Sequence, residues 1–400
     1  MPKRSSSRSR TAAHKYALVL DVGTTGVKAF VFAEDGRIVS RAHHELKKKF
    51  PRRGWVEQDP RELVRVSIAV MREAVRSARV PARRLIGLGI AVQRETTILW
   101  HHHTGVPVYP AIVWEDRRTD GYCKRLQKKY GKLVRARTGL PIDAYFSASK
   151  IRWLMDHVPA VRRLLTGENV DFGNVDSWLL YNLLDGRPHL TDQTNASRTL
   201  LYDIRKERWS GTLMKLFGIP EGILPNVRPS VSKFGILKKS VLGFPLPVRA
   251  VCGDQQASLY AAGTARGTTV VTYGTGTFVK QSLGRRFTLH PTFMTTLAPG
   301  AVRPEFALES KIDRSAVRVT RLLKRPAALR RALRTLARAV DMRLRALPIR
   351  PRSIVIDGGI TRDGIIAGIQ QSISKIRVRP QKTFDGTALG IAKLVFRSIV

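Results

Sequence analysis

An arginine and a glutamate stand side by side where an apolar run ends. Leu85–Val92 is interrupted only by two glycines, and Arg94 and Glu95 follow it almost at once. The run predicts a buried strand, and charged side chains are rarely buried unless they are paired. The pair therefore indicates either a solvated strand end or a polar substrate site at the carboxyl end of a sheet strand, where open α/β sheets bind ligands. This stretch alone leaves both interpretations open.

A glycine-threonine turn comes earlier in the chain, in the segment DVGTTGVK. The glycines, Gly26 among them, allow a tight turn whose backbone N–H groups point at a ligand, and Thr24 and Thr25 add hydroxyl donors. Lys28 adds a cation, and the Asp21 carboxylate is suited to Mg²⁺, directly or through water. The segment predicts a site for a triphosphate, although the same pattern also occurs in ordinary hairpins.

A second turn of the same kind lies in TYGTGT, with Gly274 and Thr275 at its centre. Two such turns from two similar domains would clamp a nucleotide between them. Between the two turns lies VCGDQQAS, in which an apolar strand ends just before Asp254 and Gln255. Asp254 is suited either to cap the helix that follows or to act as general base for a substrate hydroxyl.

The elements around these residues predict a duplicated α/β architecture. A meander of three strands, a helix with Asp59 at its N-cap and the strand Leu85–Val92 open the chain. After residue 262 a similar order recurs: strands around a glycine turn, a helical stretch over Ser315–Leu347 interrupted near Pro326, then strand, helix, strand and a closing helix. The two halves read as two copies of one architecture, not as a sequence repeat.

Composition limits the classes of protein to consider. The chain has 400 residues and no apolar segment long enough to span a membrane. It contains only two cysteines, Cys123 and Cys252. This low number fits a reducing compartment and predicts a cytoplasmic protein. With 71 Lys+Arg against 30 Asp+Glu the net charge is +41, which favours polyanions as partners. The basic residues are nevertheless spread along the chain without a nucleic-acid-binding signature. The favoured explanation of the high positive charge is therefore an arginine bias throughout the proteins of the lineage. Nucleic acid is a less favoured partner.

Several motifs, taken in order, resemble the FGGY carbohydrate kinases, and their glycerol branch more than the pentulose kinases. They run from about Tyr16 to Glu309: DVGTTGVKAFVF, GWVEQDP, QRETTILW, TGVPVYPAIVWEDRRT, TGLPIDAYFSASK, TDQTNASRTLLYDI, LPNVRPS, GDQQASL and TYGTGTF. The resemblance implies two ribonuclease-H/actin-like domains flanking a cleft. It also implies ATP-dependent phosphorylation of glycerol, with Mg²⁺ as cofactor.

The resemblance also implies a role for each matching residue. Arg94 and Glu95 would bind glycerol hydroxyls, with Tyr145 and Gln255 completing a polar ring, and Asp254 would take the proton of the attacking hydroxyl. Trp114 and Phe278 would enclose the carbon backbone, and Asp21 would serve Mg²⁺. The ATP-binding residues implied are Thr24, Thr25, Gly26, Lys28, Gly274, Thr275, Gly358, Gly359 and Asp363.

The sequence departs from the family in its second half. We expect a basic disordered tail over 1–14, with the composition of a transit peptide as the alternative, a first domain over 15–262, and a reduced second domain over 263–400. Ala316 stands near an expected glycine, Asp363 replaces an asparagine, and Lys28 replaces an arginine, so that the charge is kept but the two-pronged guanidinium is lost. Alternatives are a degenerate member that binds polyol or nucleotide as a sensor or scaffold, and a kinase for another small polyol or sugar. A homo-oligomer is also compatible with the sequence.

Overall fold

The structure is a computed structural model that describes residues 14–167, 169–274, 276–300, 304–312, 326–381, 383 and 385–398. The predicted tail, except for its last residue, as well as Thr275 and Ala316, lies outside the described residues. The strands are β1 (Tyr16–Val22), β2 (Gly26–Ala33), β3 (Ile38–Glu45), β4 (Glu57–Gln58), β5 (Leu85–Val92), β6 (Ile98–His101), β7 (Ala111–Ile112), β8 (Val170–Gly173), β9 (Leu190–Asp192), β10 (Tyr202–Asp203), β11 (Arg208–Trp209), β12 (Asn226–Arg228), β13 (Val231–Leu237), β14 (Leu246–Gly253), β15 (Thr269–Tyr273), β16 (Thr277–Gly284), β17 (Met294–Ala298), β18 (Glu305–Ile312), β19 (Ser353–Asp357) and β20 (Arg377–Pro380).

The helices are interspersed among these strands along the chain. They are α1 (Pro60–Ala78), α2 (Asp120–Thr138), α3 (Ser147–His157), α4 (Pro159–Thr166), α5 (Val175–Leu183), α6 (Gln193–Ala196), α7 (Gly211–Phe217), α8 (Lys239–Leu242), α9 (Asp254–Ala262), α10 (Pro326–Arg345), α11 (Ile365–Ser374) and α12 (Gly386–Arg397). Short 3₁₀ turns cover Ala82–Arg84, Glu221–Ile223 and Gly359–Thr361. None of the helices in the described residues is long and apolar enough to cross a membrane.

The first sheet has the strand order β13-β14-β5-β1-β2-β3. Strands β1, β2 and β3 form the predicted antiparallel meander, whereas β5 runs parallel to both β1 and β14. The carboxyl ends of β1, β5 and β14 therefore meet at one edge of the sheet. Asp21, Arg94 and Asp254 lie at or just beyond these three ends, so the sheet itself brings together residues that are far apart in sequence.

The second sheet repeats this plan, with the order β17-β18-β16-β15-β19-β20. Strands β15, β16 and β18 pair antiparallel, and β19 runs parallel to β15 and β20. A meander followed by parallel strands thus occurs twice, and the predicted architecture of two ribonuclease-H/actin-like domains is confirmed.

Local sequence signals explain where α1 begins and ends. As predicted, the Asp59 side chain caps the helix by accepting from the Arg61 N–H. Pro60 occupies the first turn. The helix ends at Ala78, and the C-cap residue Arg79 takes a left-handed conformation with φ of 52°. The apolar face of α1, including Leu63, packs into the core beneath the first sheet.

Helix α9 lies between the two sheets. Ala257 and Ala261 on one face join the core cluster against the first sheet, while Leu259 on another face packs with Val270 of the second sheet. The closing helix α12 packs beside α9 and contributes Ile391 to the same cluster on the first sheet. The last helix of the chain therefore completes the core of the first sheet, and the boundary at residue 262 stays a prediction.

Candidate active site

One cavity of about 200 Å³ gathers most of the predicted site residues at the junction of the two sheets. Gly358, Gly359 and Asp363 are not among the residues that line it. The lining consists of Asp21, Gly23, Thr24, Thr25, Gly26, Lys28, His43, Gln93, Arg94, Glu95, Trp114, Tyr145, Asp254, Gln255, Thr272, Gly274, Gly276, Phe278 and Thr387.

Arg94 is buried and paired across the two domains. Its Nη1 and Nη2 donate to the two carboxylate oxygens of Glu309 on β18, at 2.6 and 3.1 Å, a two-pronged arrangement that only a guanidinium makes. Its Nε lies 3.2 Å from Asp254 Oδ1 but makes no hydrogen bond to any described residue. Arg94 therefore keeps one unsatisfied buried donor beside the cavity, which a ligand hydroxyl can satisfy.

Glu95 is as buried as Arg94, and its carboxylate pairs with Arg198, a residue of the first domain. Arg198 Nε donates to Glu95 Oε1 at 2.6 Å, and Arg198 Nη2 donates to Glu309 Oε1 at 3.1 Å. Burial raises the pKa of Glu309, but the Arg198 and Arg94 guanidinium groups outweigh it and lower that pKa to about 2. The solvated strand end is thereby excluded: both charges belong to a buried network of two arginines and two glutamates.

The backbone at Glu95 is also unusual. Its φ is 62°, a left-handed conformation that is uncommon for residues other than glycine. Lys150 Nζ and Ser147 Oγ both donate to the Glu95 carbonyl oxygen, at 3.2 and 3.3 Å. These contacts hold the strained residue so that its carboxylate lines the cavity.

Aromatic rings form the apolar walls of the cavity. The Trp114 and Tyr145 rings meet edge to face with centroids 5.6 Å apart, and Trp114 Nε1 donates to Thr24 Oγ1 at 2.8 Å. The ring of Phe278 lies 6.0 Å from the Arg94 guanidinium carbon. Burial raises the pKa of Tyr145, so its hydroxyl stays protonated at neutral pH. Apolar faces beside paired charges suit a ligand with a short carbon chain and several hydroxyls.

Asp254 opens α9 at the end of β14. Gly253 is the N-cap, and the Asp254 carboxylate accepts from the N–H of Gln255 through Oδ1 at 2.7 Å. Gln255 Nε2 lies 3.3 Å from Asp254 Oδ2. The side chain is 27% exposed, so its oxygens remain accessible to a hydroxyl in the cavity.

The first glycine-threonine turn is closed by a hydrogen bond from Gly23 N–H to the Gly26 carbonyl at 3.0 Å. A Cβ at Gly26 would lie 2.9 Å from the backbone carbonyl oxygen of His44 as well as 2.5 Å from His43 Nε2, so this position favours glycine. Lys28 Nζ donates to Asp385 Oδ1 at 2.7 Å. Burial lowers the Lys28 pKa, but Asp21 and Asp385 outweigh it and raise the net value, so Lys28 is a permanent cation at the turn.

The second turn is closed similarly, by Gly274 N–H donating to the Gly276 carbonyl at 3.1 Å. Gly358, with φ of 98°, lies against this turn, because a Cβ there would be 2.4 Å from the Tyr273 carbonyl oxygen. Asp363 is exposed, and its Oδ1 accepts from the Ile365 N–H at the start of α11 at 3.1 Å. Contacts of Gly358, Gly359 and Asp363 with a nucleotide stay predictions.

Asp21 is the candidate for a metal ion. Burial, with the negative charges of Asp254 and Asp385, raises its pKa to about 6, although Lys28 lowers it. Within the described chain no three histidine, cysteine, aspartate or glutamate side chains form a metal cluster. Mg²⁺ commonly uses one or two carboxylates with water and phosphate oxygens. The Asp21 carboxylate, whose negative charge is only partly compensated by Lys28, lies beside the first glycine-threonine turn and fits that ion.

Sequence inspection missed Arg198, Glu309 and Lys280 as parts of the site. Arg198 lies 103 residues from Glu95 and 111 from Glu309, so no local spacing reveals their contact. The available signal was charge within otherwise buried segments: Arg198 closes the motif TDQTNASR, and Glu309 and Lys280 stand inside apolar strands.

The fold and the cavity together define a two-domain α/β protein whose polar site lies between ribonuclease-H/actin-like domains. The N-terminal domain profile of the FGGY family of carbohydrate kinases matches residues 16–261. Since this match covers more than half of the chain, the chain belongs to the FGGY family of carbohydrate kinases.

Individual relatives agree with this assignment. The glycerol kinase of Acidovorax ebreus (strain TPSY) is 44% identical over 305 residues, which cover 74% of this chain and 60% of that protein. Glycerol kinase 2 of Thermotoga maritima is 43% identical over 302 residues, covering 74% and 61%. The chain thus spans about three fifths of the length of these relatives.

Solved structures match over nearly the whole chain. The crystal structure of Plasmodium falciparum glycerol kinase with ADP has a TM-score of 0.88 at 26% identity, covering 96% of this chain and 90% of that chain. A xylulose kinase from Rhodospirillum rubrum has a TM-score of 0.84 at 18% identity, covering 96% and 90%, which supports the fold alone.

Proposed function

We propose that the protein catalyses ATP-dependent phosphorylation of glycerol to glycerol 3-phosphate. The observation that carries the proposal is that Arg94, Glu95 and Asp254 line the same cavity as the first glycine-threonine turn, between aromatic walls. Relatives named as glycerol kinases support the choice of glycerol. A cytoplasmic location, a homo-oligomer and contact with nucleic acid stay predictions.

Glycerol binding would use opposite hydrogen-bonding groups on adjacent residues. The Arg94 guanidinium can only donate and the ionised Glu95 carboxylate can only accept, so two hydroxyls that both donate and accept are held in a defined order. The rings of Trp114 and Phe278 cover the carbon backbone. Water bound to the same groups lacks that apolar contact, which favours a polyol over solvent.

Phosphoryl transfer would begin with a glycerol hydroxyl beside Asp254. The carboxylate accepts the hydroxyl proton while the oxygen bonds to the γ-phosphorus of ATP, and the bond to the departing ADP oxygen breaks. Backbone N–H groups of the two glycine turns and the Lys28 ammonium would hold the phosphate oxygens. Mg²⁺, held by Asp21, would supply neutralisation of phosphate charge. The buried walls exclude water and so limit ATP hydrolysis.

A second candidate function is polyol or nucleotide binding without turnover. It is favoured by the exposure of Asp363, whose carboxylate accepts from the Ile365 N–H and does not line the cavity. A kinase acting on another small polyol or sugar is a variant of the first proposal, because the same donor and acceptor groups would bind it.

The test is release of ADP by the purified chain with glycerol and Mg·ATP, beside an Asp254→Asn variant. We expect turnover in the parent and a loss of roughly 10²–10⁴-fold or more in the variant, since the amide cannot accept the proton. Asp35→Asn is the matched control, because Asp35 lies on the surface, 65% exposed. A parent chain that binds glycerol in calorimetry but releases no ADP would establish the second candidate instead.

A further inference from the structure

Lys280 is a buried lysine directly behind the candidate active site. It lies near the centre of β16 and is 2% exposed. Burial lowers the pKa of its ammonium group, against the carboxylates of Asp357, Glu309 and Asp254, which raise it. A buried charge is costly, so its position calls for a reason beyond packing.

The ammonium group contacts three neutral oxygens. Lys280 Nζ donates to Gln255 Oε1 at 2.9 Å, to Ser258 Oγ at 2.8 Å and to Thr272 Oγ1 at 2.8 Å. Gln255 and Thr272 both line the cavity. Ser258 in turn donates to Asp357 Oδ2 at 2.6 Å. Lys280 thus joins α9, which carries Asp254, to the two central strands of the second sheet.

The chemistry of these contacts determines how the Gln255 amide points. A lysine ammonium has three donors and no acceptor, so the amide oxygen of Gln255 must face it. The amide nitrogen is then on the other side, 3.3 Å from Asp254 Oδ2. Gln255 consequently offers the cavity a donor and no acceptor.

We propose that Lys280 is a positioning residue that fixes the Gln255 amide, so that the attacking hydroxyl accepts from Gln255 and must direct its own proton to Asp254. This rests on the proposed function for the proton transfer, but its effect on glycerol binding does not. Without Lys280 the Gln255 amide can rotate so that its oxygen and nitrogen exchange places. The amide oxygen then competes with Asp254 for the hydroxyl proton.

The first test is Lys280→Met, which keeps the length of the side chain approximately and removes the three N–H donors of the ammonium group. We expect glycerol binding, measured by calorimetry without nucleotide, to weaken about tenfold. The double variant Lys280→Met/Gln255→Ala should bind glycerol no more weakly than Gln255→Ala, because Lys280 acts through Gln255. Losses that simply add would contradict this and indicate a general structural effect.

The control is Gln281→Met on the same strand. Gln281 is fully buried, but its amide donates to Thr269 Oγ1 and to the Ile349 carbonyl, away from the cavity. This variant should lose stability while glycerol affinity stays within about twofold of the parent. Equal loss of affinity in Gln281→Met and Lys280→Met would overturn the assignment.

A second variant keeps the proposal testable if Lys280→Met does not fold. Gln255→Glu gives Lys280 an ionic partner but presents an acceptor to the cavity, so glycerol binding should also weaken about tenfold. If Gln255→Glu bound glycerol with the affinity of the parent, the proposed role of Lys280 in orienting the Gln255 amide would be refuted. Because these readouts are binding constants, absence of ADP release in the parent would refute the proposed function alone.

Discussion

The buried charges of the site illustrate how single residues compensate one another. Arg94, Glu309, Arg198 and Glu95 alternate in sign, and each pair shares hydrogen bonds of 2.6–3.1 Å. Removing one member of such a network leaves its partners charged and buried, which costs far more than the network itself contributes. The chain therefore depends on all four residues together.

At this scale we predict that Arg198→Met lowers the free energy of unfolding by about 3–5 kcal/mol, because Glu95 and Glu309 lose their shared partner. Arg345→Met is the control. Arg345 also pairs with an aspartate, Asp341, but is 70% exposed, so the expected cost is at most about 1 kcal/mol. Urea denaturation followed by fluorescence measures both. If Arg198→Met and Arg345→Met lost similar amounts of unfolding free energy, the buried network would contribute no more to stability than the exposed ion pair.

At the scale of elements, the contact between α9 and α12 holds Asp254 in place. A Cβ on Gly390 of α12 would lie 1.9 Å from the Ala257 carbonyl oxygen of α9, so the two helix backbones approach as closely as glycine allows. Both helices share one apolar cluster on the first sheet. The first turn of α9, with the candidate base, is thereby fixed against the sheet that carries Arg94.

We predict that Gly390→Ala separates these helices and lowers the free energy of unfolding by about 1–3 kcal/mol, as overpacking does. Gly368→Ala in α11 is the matched control, since its Cβ would meet nothing within 4 Å. In that helix alanine should be neutral or stabilise by about 0.5–1 kcal/mol. Thermal unfolding of both variants measures the difference. A Gly390→Ala variant as stable as the parent would mean that the helices can move apart without cost.

At the scale of the whole molecule, the site exists only because two domains meet. Asp21 and Arg94 come from the first sheet, whereas Glu309, Gly274 and Phe278 come from the second. A ligand that contacts both domains stabilises the arrangement in which they meet, so binding of one such ligand should assist binding of the other.

We therefore predict that glycerol and a non-hydrolysable Mg·ATP analogue together raise the unfolding temperature by more than the sum of their separate effects. A single ligand at one hundred times its dissociation constant stabilises by about 2.7 kcal/mol. Differential scanning fluorimetry provides the measurement. In Arg94→Met the glycerol effect should disappear and the analogue effect persist. Strictly additive shifts in the parent would argue against coupling across the cleft.

The sequence by itself determined the duplicated α/β plan and the types of residue in the site. Alternating apolar runs, glycine turns and the Asp59 cap are local signals, and they sufficed for α1 and for most strands of the two sheets, although not for β13. The motifs also indicated Arg94, Glu95, Trp114, Tyr145 and Asp254 as one functional group, and the cavity contains all five.

Only the tertiary structure decided which groups are paired. Lys28 reads as a free phosphate-binding cation in sequence, yet it pairs with Asp385, 357 residues away. For Arg198 and Lys280 the local signal was only a charge within an otherwise buried segment. It did not identify their partners, because these lie on other elements of the fold. Hydrogen bonds between buried side chains depend on how sheets and helices pack, and packing is a property of the whole chain rather than of any short pattern.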